Sequence, residues 1–433
     1  MVFLYRQTSY LIKHQNTIKY IESMRKKILI FLYVCLLLSF SIQADNNKEF
    51  SLRELVNIGL ANSPQVAAKV QEVNARHAAY KAAKNLTNPE LTFAWGKAES
   101  YDELVQRNTS EFVISQPLEN PFKRHYRIQV FERDWEATEY LLEVTKLELM
   151  YEIKNHYFQI LLQKKKSELA KKNADSIAEI HRLILKRAQL GEVKELEAIK
   201  LQVESLRAQN ALNKIWTDLE LAKERLNKFL GNTLPPDFNV LGELEYVPLN
   251  VDEQVLLAES LPSHPLIKEK EKRNEQAQEN IRFVKWQLFP DFKLIGFSKK
   301  ELDGRNKGLG ITLDIPLWNW RTKEVAEAES LLLKQNQELR TIKMELTTET
   351  KTKINQLRLS ARALKLFTTG LLKMAEESLK IAEVSYTHGE ISLIDFLDSQ
   401  RTYFSIMTDY QDSLYAWNAD RAALERAIGE ELQ

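Results

Sequence analysis

The sequence predicts a mainly α-helical protein with a small β part: long coiled-coil helices plus two β-hairpins, in a plan written twice. Three observations predict it. The 433 residues hold only 12 glycines and 11 prolines, where average usage of about 7% would give roughly thirty glycines. Lys, Glu, Leu, Ala, Gln and Arg crowd most segments, and these are the residues that lose least on entering a helix. Five landmarks also recur at a nearly constant offset. Pro64 and Pro265 differ by 201, Pro89 and Pro290 by 201, and Pro117 and Pro316 by 199. Gly191 and Gly389 differ by 198, as do Gly231 and Gly429. Such spacing marks an internal duplication, with residues 45–240 as one repeat and 241–433 as the other.

The first 44 residues read as a leader. Arg25, Lys26 and Lys27 precede an apolar run from Ile28 to Phe40 and then a small residue, Ala44. This is the pattern of a secretory signal peptide cleaved after Ala44, and residues 1–23 read as an extension upstream of Met24. The run is short for a membrane span, which needs about twenty apolar residues. The single cysteine, Cys35, lies inside the run and is expected to leave with it, so no disulfide is expected. The leader carries six basic and one acidic side chain, so the net +1 of the whole chain becomes −4 in the remainder. A mildly acidic chain argues against nucleic acid as a partner. No other stretch of apolar residues is long enough for a helical span, so any crossing of a membrane must use strands.

Each repeat then runs through the same elements. A helix of about 35 residues reaches a proline. A β-hairpin follows, near 90–117 in the first repeat and 291–317 in the second. In Leu91-Thr92-Phe93-Ala94-Trp95 and in Ile311-Thr312-Leu313-Asp314-Ile315, apolar residues alternate with small or polar ones, which places them on one face of a strand. Trp95, Trp286, Trp318 and Trp320 sit in or beside the strands, where tryptophan suits a membrane interface. Pro89, Pro117, Pro290 and Pro316 mark transitions between strand and helix, because proline fixes φ and withholds a ladder donor.

Two very long helices come next, Phe122 to Leu190 and Trp320 to Thr387, each about 100 Å at 1.5 Å per residue. A glycine ends each, and a last helix of about 40 residues closes the repeat. Leu212, Ile215, Leu219, Ala222, Leu226 and Phe229 step by 3 and 4, as do Leu364, Phe367, Leu371, Met374, Ser378 and Ile381. That is a coiled-coil seam.

No catalytic motif stands out: there is no Gly-rich phosphate loop, no GxSxG and no HExxH. The histidines are scattered without ligand spacing, so neither a cofactor nor a resident metal is expected, and the chain does not read as an enzyme. Four amphipathic strands cannot close a barrel alone; closure needs strands from several subunits. A secreted coiled-coil scaffold without a pore would account for the helices but not for the hairpins or the repeated prolines.

The paired NSP and SHP helix starts, NPEL and FPDF before the hairpins, SQPL and DIPL after them, and YTHGEISLIDFLDSQ together resemble the outer membrane efflux protein (TolC) family over residues 50–431. The resemblance implies a homotrimer with a twelve-stranded outer-membrane barrel, set in outer-membrane lipid and continued by a periplasmic α-helical tunnel. It implies a passive exit duct fed by an inner-membrane pump, of the RND type, through a periplasmic adaptor. It places Asp395 and Asp398 in acidic rings at the periplasmic constriction. Residues three apart share a helix face, so both carboxylates can face a lumen while Ile394, Phe396 and Leu397 pack. It places Gly191, Glu192, Tyr386, Gly389 and Glu390 at the tip, in contact with the adaptor. The arginine that some members carry two residues after the second glycine is Ile391 here, so closure is expected to rest on packing. The first-repeat equivalents of the aspartates are Glu197 and Lys200. SQPLENPFKRHYRI, at 115–128, resembles the heavy-metal (CzcC-like) branch, which implies metal cations as cargo; multidrug efflux and type I secretion are the alternatives within the fold.

Overall fold

The computed structural model describes residues 49–101, 105–249, 252–315 and 318–432. The leader, with Cys35 and Ala44, and Pro316 lie outside them. Residues 50–236 and those from 240 onward make one compact unit; Glu49 and residues 237–239 group separately.

The helix expected before each hairpin is two helices. α1 (Leu52–Asn62) and α2 (Pro64–Ala83) meet at Ser63, and α5 (Glu253–Ser263) and α6 (Pro265–Trp286) meet at His264. In both cases a proline occupies the first helical position, where its missing N–H costs nothing. The residue before it is held extended. His264 caps α6, its Nδ1 accepting from the Leu266 N–H at 3.1 Å.

Four strands form one antiparallel sheet in chain order: β1 (Glu90–Glu99), β2 (Gln106–Leu118), β3 (Phe292–Lys300) and β4 (Arg305–Leu313). The two hairpins are therefore joined through β2 and β3. Leu91 pairs with Ile114, Ile114 with Gly296, and Gly296 with Leu309. Phe93 pairs with Phe112; Leu118 pairs with Phe292, and Phe292 with Leu313. Register partners in an antiparallel ladder share a face. One face therefore gathers Leu91, Phe93, Trp95, Phe112, Ile114, Leu118, Phe292, Leu294, Leu309, Ile311 and Leu313, all exposed. The other carries Glu90, Thr92, Glu111, Lys293, Lys299 and Thr312, with Lys299 paired to Glu111 at 2.8 Å and Lys293 to Glu90 at 3.7 Å. Pro117 is not the strand end: β2 runs one residue further, beyond the end of β1, where it has β3 on one side only.

α3 (Pro121–Gln189) is continuous for 69 residues and packs along α4 (Glu195–Phe229). The seam Leu212, Ala222 and Leu226 is buried there, as Leu212 and Ala208 meet Ala174 and Ile177 of α3. The second long helix is not continuous. α7 (Thr322–Leu366) gives way at Phe367–Leu371 to a wider turn, after which α8 (Leu372–Thr387) resumes, followed by α9 (Leu393–Ile428). The lower part of the second seam, Leu371, Met374 and Ile381, is exposed. Among the described residues no helix is long and apolar enough to cross a membrane.

Candidate functional site

The two helical hairpins end in matching turns. Gly191 and Gly389 adopt φ of 78° and 74°, the left-handed conformation that glycine takes without a Cβ penalty. The Glu192 N–H donates to the Arg187 carbonyl at 2.9 Å, and the Glu390 N–H to the Ser385 carbonyl at 2.8 Å. These six-residue closures satisfy carbonyls that a helix end leaves open. A Cβ on either glycine would meet nothing within 4 Å, so a side chain at either position would enter open space.

Behind the turns the four helix ends share one small core. Ile184 of α3, Ala198 and Leu201 of α4, Ala382 of α8, and Leu393, Phe396 and Leu397 of α9 are buried together. Ile391, at the place of the missing arginine, packs against this core. Tyr386 is half-buried, its ring stacked on Phe396 at 5.2 Å. Burial pushes its phenol pKa up, with the nearby Glu197 carboxylate adding to the effect. Ile394, expected to pack, is instead exposed.

Asp395 and Asp398 are both exposed on the first turns of α9. They differ in local role. The Asp395 carboxylate accepts from the Ser392 N–H at 3.2 Å and hydroxyl at 2.7 Å, while the Ser392 Oγ accepts from the Asp395 N–H at 3.3 Å. This reciprocal capping box starts the helix and turns the Asp395 carboxylate toward its own backbone. Asp398, one turn on, has no part in it. Sequence reading missed this use of Asp395, although Ser-x-x-Asp ahead of an apolar run is a signal for it. Higher up, α9 is fastened to the first hairpin. Arg401 donates through Nε and a terminal nitrogen to Glu204 Oε1 at 3.1 and 2.8 Å, and the buried Gln400 amide donates to Asn173 at 3.3 Å and Ser176 at 3.2 Å.

At the other end, the aromatic residues divide. Trp95, Trp318 and Trp320 are exposed. Trp286 is sandwiched between Phe122 at 4.5 Å and Phe289 at 4.7 Å, so it packs the end of α6 against the start of α3 and the segment that leads into β3. Pro89 immediately precedes β1, and Pro290 stands two residues before β3. The SQPLENPFKR segment is the joint between the sheet and the long helix α3. Asn120 caps α3. Asp291, from FPDF, accepts from the Asn120 N–H at 3.1 Å and pairs with Lys123 at 2.5 Å. Arg124 donates to the Lys84 carbonyl, and Arg127 pairs with Glu119 at 2.6 Å. The motif that pointed to metal cargo is thus spent on structure. Among the described residues no group of three His, Cys, Asp or Glu is placed to hold a metal ion.

Comparison with known proteins agrees with this geometry. The chain is 22% identical over 381 residues to the cobalt-zinc-cadmium resistance protein CzcC of Cupriavidus metallidurans, covering 88% of this chain and 90% of that one. Its fold matches the Campylobacter jejuni CmeC outer membrane channel with a TM-score of 0.74 at 16% identity, covering 87% of this chain and 85% of that one. It matches CusC, a protein solved for its transmembrane channel formation, with a TM-score of 0.73 at 16% identity, covering 88% and 92%. The sequence profile of the outer membrane efflux proteins matches residues 55–232 and 256–430, and the chain belongs to that family of channels.

Proposed function

We propose that the chain is the exit duct of a tripartite efflux system that carries heavy-metal cations out of the cell. The observation that carries this reading is the sheet: four strands with a band of exposed apolar side chains on one face, giving way to polar ones such as Asn108, Lys300 and Lys307 toward the hairpin turns, an opposite face that carries the ion pairs, and two unpaired edges at β1 and β4. Open edges do not persist in lipid. Three copies would join them into a twelve-stranded outer-membrane barrel with the apolar face outward. The helices support the same assembly. Leu196, Ile199, Val203 and Leu206 form an exposed stripe on α4, stepping by 3, 4 and 3. Leu371, at the end of the wider turn, with Met374 and Ile381 of α8 forms another, and each is a coiled-coil seam awaiting a partner.

The two structural repeats, 45–240 and 241–433, are supported by their matching element order and matching glycine turns. The clear space around Gly191 and Gly389 suits contact with a periplasmic adaptor, with Glu192, Tyr386 and Glu390 beside it. The adaptor would link the duct to an inner-membrane pump of the RND type that supplies the energy. The similarity to a cobalt-zinc-cadmium resistance protein supports metal as the cargo; a passive conduit needs no ligand cluster of its own.

A deletion strain is expected to become hypersensitive to cobalt, zinc and cadmium while its tolerance of lipophilic drugs and detergents is unchanged. Sensitivity to drugs alone would overturn the metal cargo and leave the duct standing. The acidic ring has its own test. Asparagine keeps the oxygen that Asp395 needs for its cap but removes the charge. The Asp395→Asn, Asp398→Asn pair is therefore expected to fold normally and to lower cation-over-anion permeability severalfold in planar bilayers, because clustered carboxylates at a constriction concentrate cations. Unchanged selectivity would remove these residues from the narrowest point.

A further inference from the structure

The exposed apolar face of the sheet changes character toward the two hairpin turns. Along β1 it runs Leu91, Phe93, Trp95 and then Lys97. Along β4 it runs Leu313, Ile311, Leu309 and then Lys307 and Arg305, and on β3 it ends in Lys300. The register sets these cations on one face: Lys97 pairs with Asn108, Ser298 with Lys307, and Lys300 with Arg305. All four are exposed, and among the described residues none of them has an ion-pair partner. Glu99, the strand carboxylate on that face at that end, accepts from Gln106. Cations at the same level on the other face are committed. Lys299 pairs with Glu111 at 2.8 Å, and Arg107 donates to the Leu302 carbonyl at 3.1 Å. Lys300 and Arg305 stand directly opposite each other across the ladder, and like charges so placed repel. An anion bridging the pair relieves that repulsion.

We infer that Lys97, Lys300, Arg305 and Lys307 hold the phosphate groups of the lipid around the barrel, in the leaflet at the hairpin-turn end. An ammonium is a compact point charge for phosphate, and a guanidinium offers it a fork of donors. Neighbouring strands lie about 4.8 Å apart, so Lys300 and Arg305 can share one phosphate. The apolar band beside them takes the acyl chains. Trp95 stands on the border between band and cations, at the level that suits its ring in a membrane. A soluble phosphate compound would leave the band uncovered, and a lipid without net negative charge would leave the cations uncompensated. At the helix end the same face finishes in Leu91, Leu118, Phe292 and Leu313 and carries no cation, so the charge serves one leaflet only. Joined copies would set β4 of one beside β1 of the next and close the cations into a girdle. The assignment rests on the reading of the sheet as one third of a barrel.

Native mass spectrometry of the full-length protein in a nonionic detergent tests it. The probes are lipid A (an acylated glucosamine disaccharide with two phosphates), the same lipid stripped of its phosphates, and inorganic phosphate as competitor. Wild type is expected to retain lipid A about tenfold more strongly than the stripped lipid. Lys97→Gln, Lys300→Gln, Arg305→Gln and Lys307→Gln together should abolish that preference. Lys293→Gln with Lys299→Gln, on the opposite face, should keep it. Arginine in place of Lys97, Lys300 and Lys307 should keep it too, which separates lost charge from a misfolded sheet. Equal retention of the two lipids by wild type would overturn the site, as would equal losses from the two glutamine variants. Displacement of lipid A by excess inorganic phosphate would make this a site for the free anion and overturn the lipid. The spectra also count the copies. If the wild type is not a trimer, the barrel reading fails, and lipid preference alone decides: a preference that the fourfold variant loses supports the site, and no preference overturns it.

Discussion

Replacing Asp134 by alanine is expected to destabilise the protein by about 3 kcal/mol, more than any single change on its surface. Asp134 is a carboxylate near the middle of three helices. Arg273 of α6 donates to one of its oxygens, and Arg76 of α2 approaches the other at 3.4 Å. Arg273 also donates through Nε to Glu269 at 3.2 Å, and Glu269 is buried. The group ties α2, α3 and α6 where the helices approach the sheet. Removing Asp134 leaves Arg273 with Glu269, and leaves Glu72 as a carboxylate near both arginines; an under-compensated charge in a partly buried place is costly. Arg76 is about half exposed, so water recovers its share and the loss falls mainly on Arg273. Asp134→Asn retains an acceptor for Arg273 and is expected to cost less. Thermal unfolding of the detergent-solubilised protein followed by circular dichroism checks both. Equal midpoints for wild type and Asp134→Ala would mean that the cluster is fully solvated and contributes nothing.

Asp134's part in that cluster was not legible in the sequence, because Arg273 lies 139 residues away from it and Arg76 on a different helix; only Arg273 and Glu269 are helical neighbours, four residues apart. What was legible depended on local rules. The hairpins were visible because Leu91-Thr92-Phe93 and Ile311-Thr312-Leu313 alternate and because prolines punctuate their ends. The tip turns were visible because Gly-Glu recurs at 191 and 389. The breaks at Ser63-Pro64 and His264-Pro265 had a signal, a proline at the first helical position in the NSP and SHP helix starts, but the short helix before each was folded into the same expected element. The interruption at Gly370 was hidden for a sharper reason. The step of 3 and 4 through Phe367, Leu371 and Met374 continues across it, so the side-chain pattern reads as one seam while the backbone does not. The aromatic sandwich shows the same limit: Trp286 stands shortly before a strand as read, but Phe122, which stacks on it, comes from the start of α3, more than 160 residues earlier.

Gly389→Glu is expected to abolish export while leaving trimers intact. Two effects act at the turn. At φ of 74° any residue with a Cβ is strained by roughly 1–2 kcal/mol, which is small beside the packing that holds the four helix ends together. The new carboxylate would also stand at a helix C-terminus, next to Glu390, where the dipole already disfavours negative charge. Neither effect reaches the sheet edges or the seam stripes proposed to hold three copies together. The free space around the Gly389 Cβ position means that the added side chain projects outward, into the surface proposed to meet the adaptor, rather than into the protein's own core. Gly389→Asn separates the causes, since asparagine tolerates the left-handed turn and adds little bulk. It should keep export where glutamate loses it. Complementation of the deletion strain on metal plates, read beside the trimer band on a semi-denaturing gel, distinguishes the outcomes. Full resistance with Gly389→Glu would mean that the adaptor does not meet this turn, and loss of the trimer would mean that the turn serves assembly instead. Gly191→Glu, at φ of 78° in the other hairpin, should behave alike if both tips are engaged. A milder loss would assign the larger share of the contact to the second hairpin, the one that ends at Gly389.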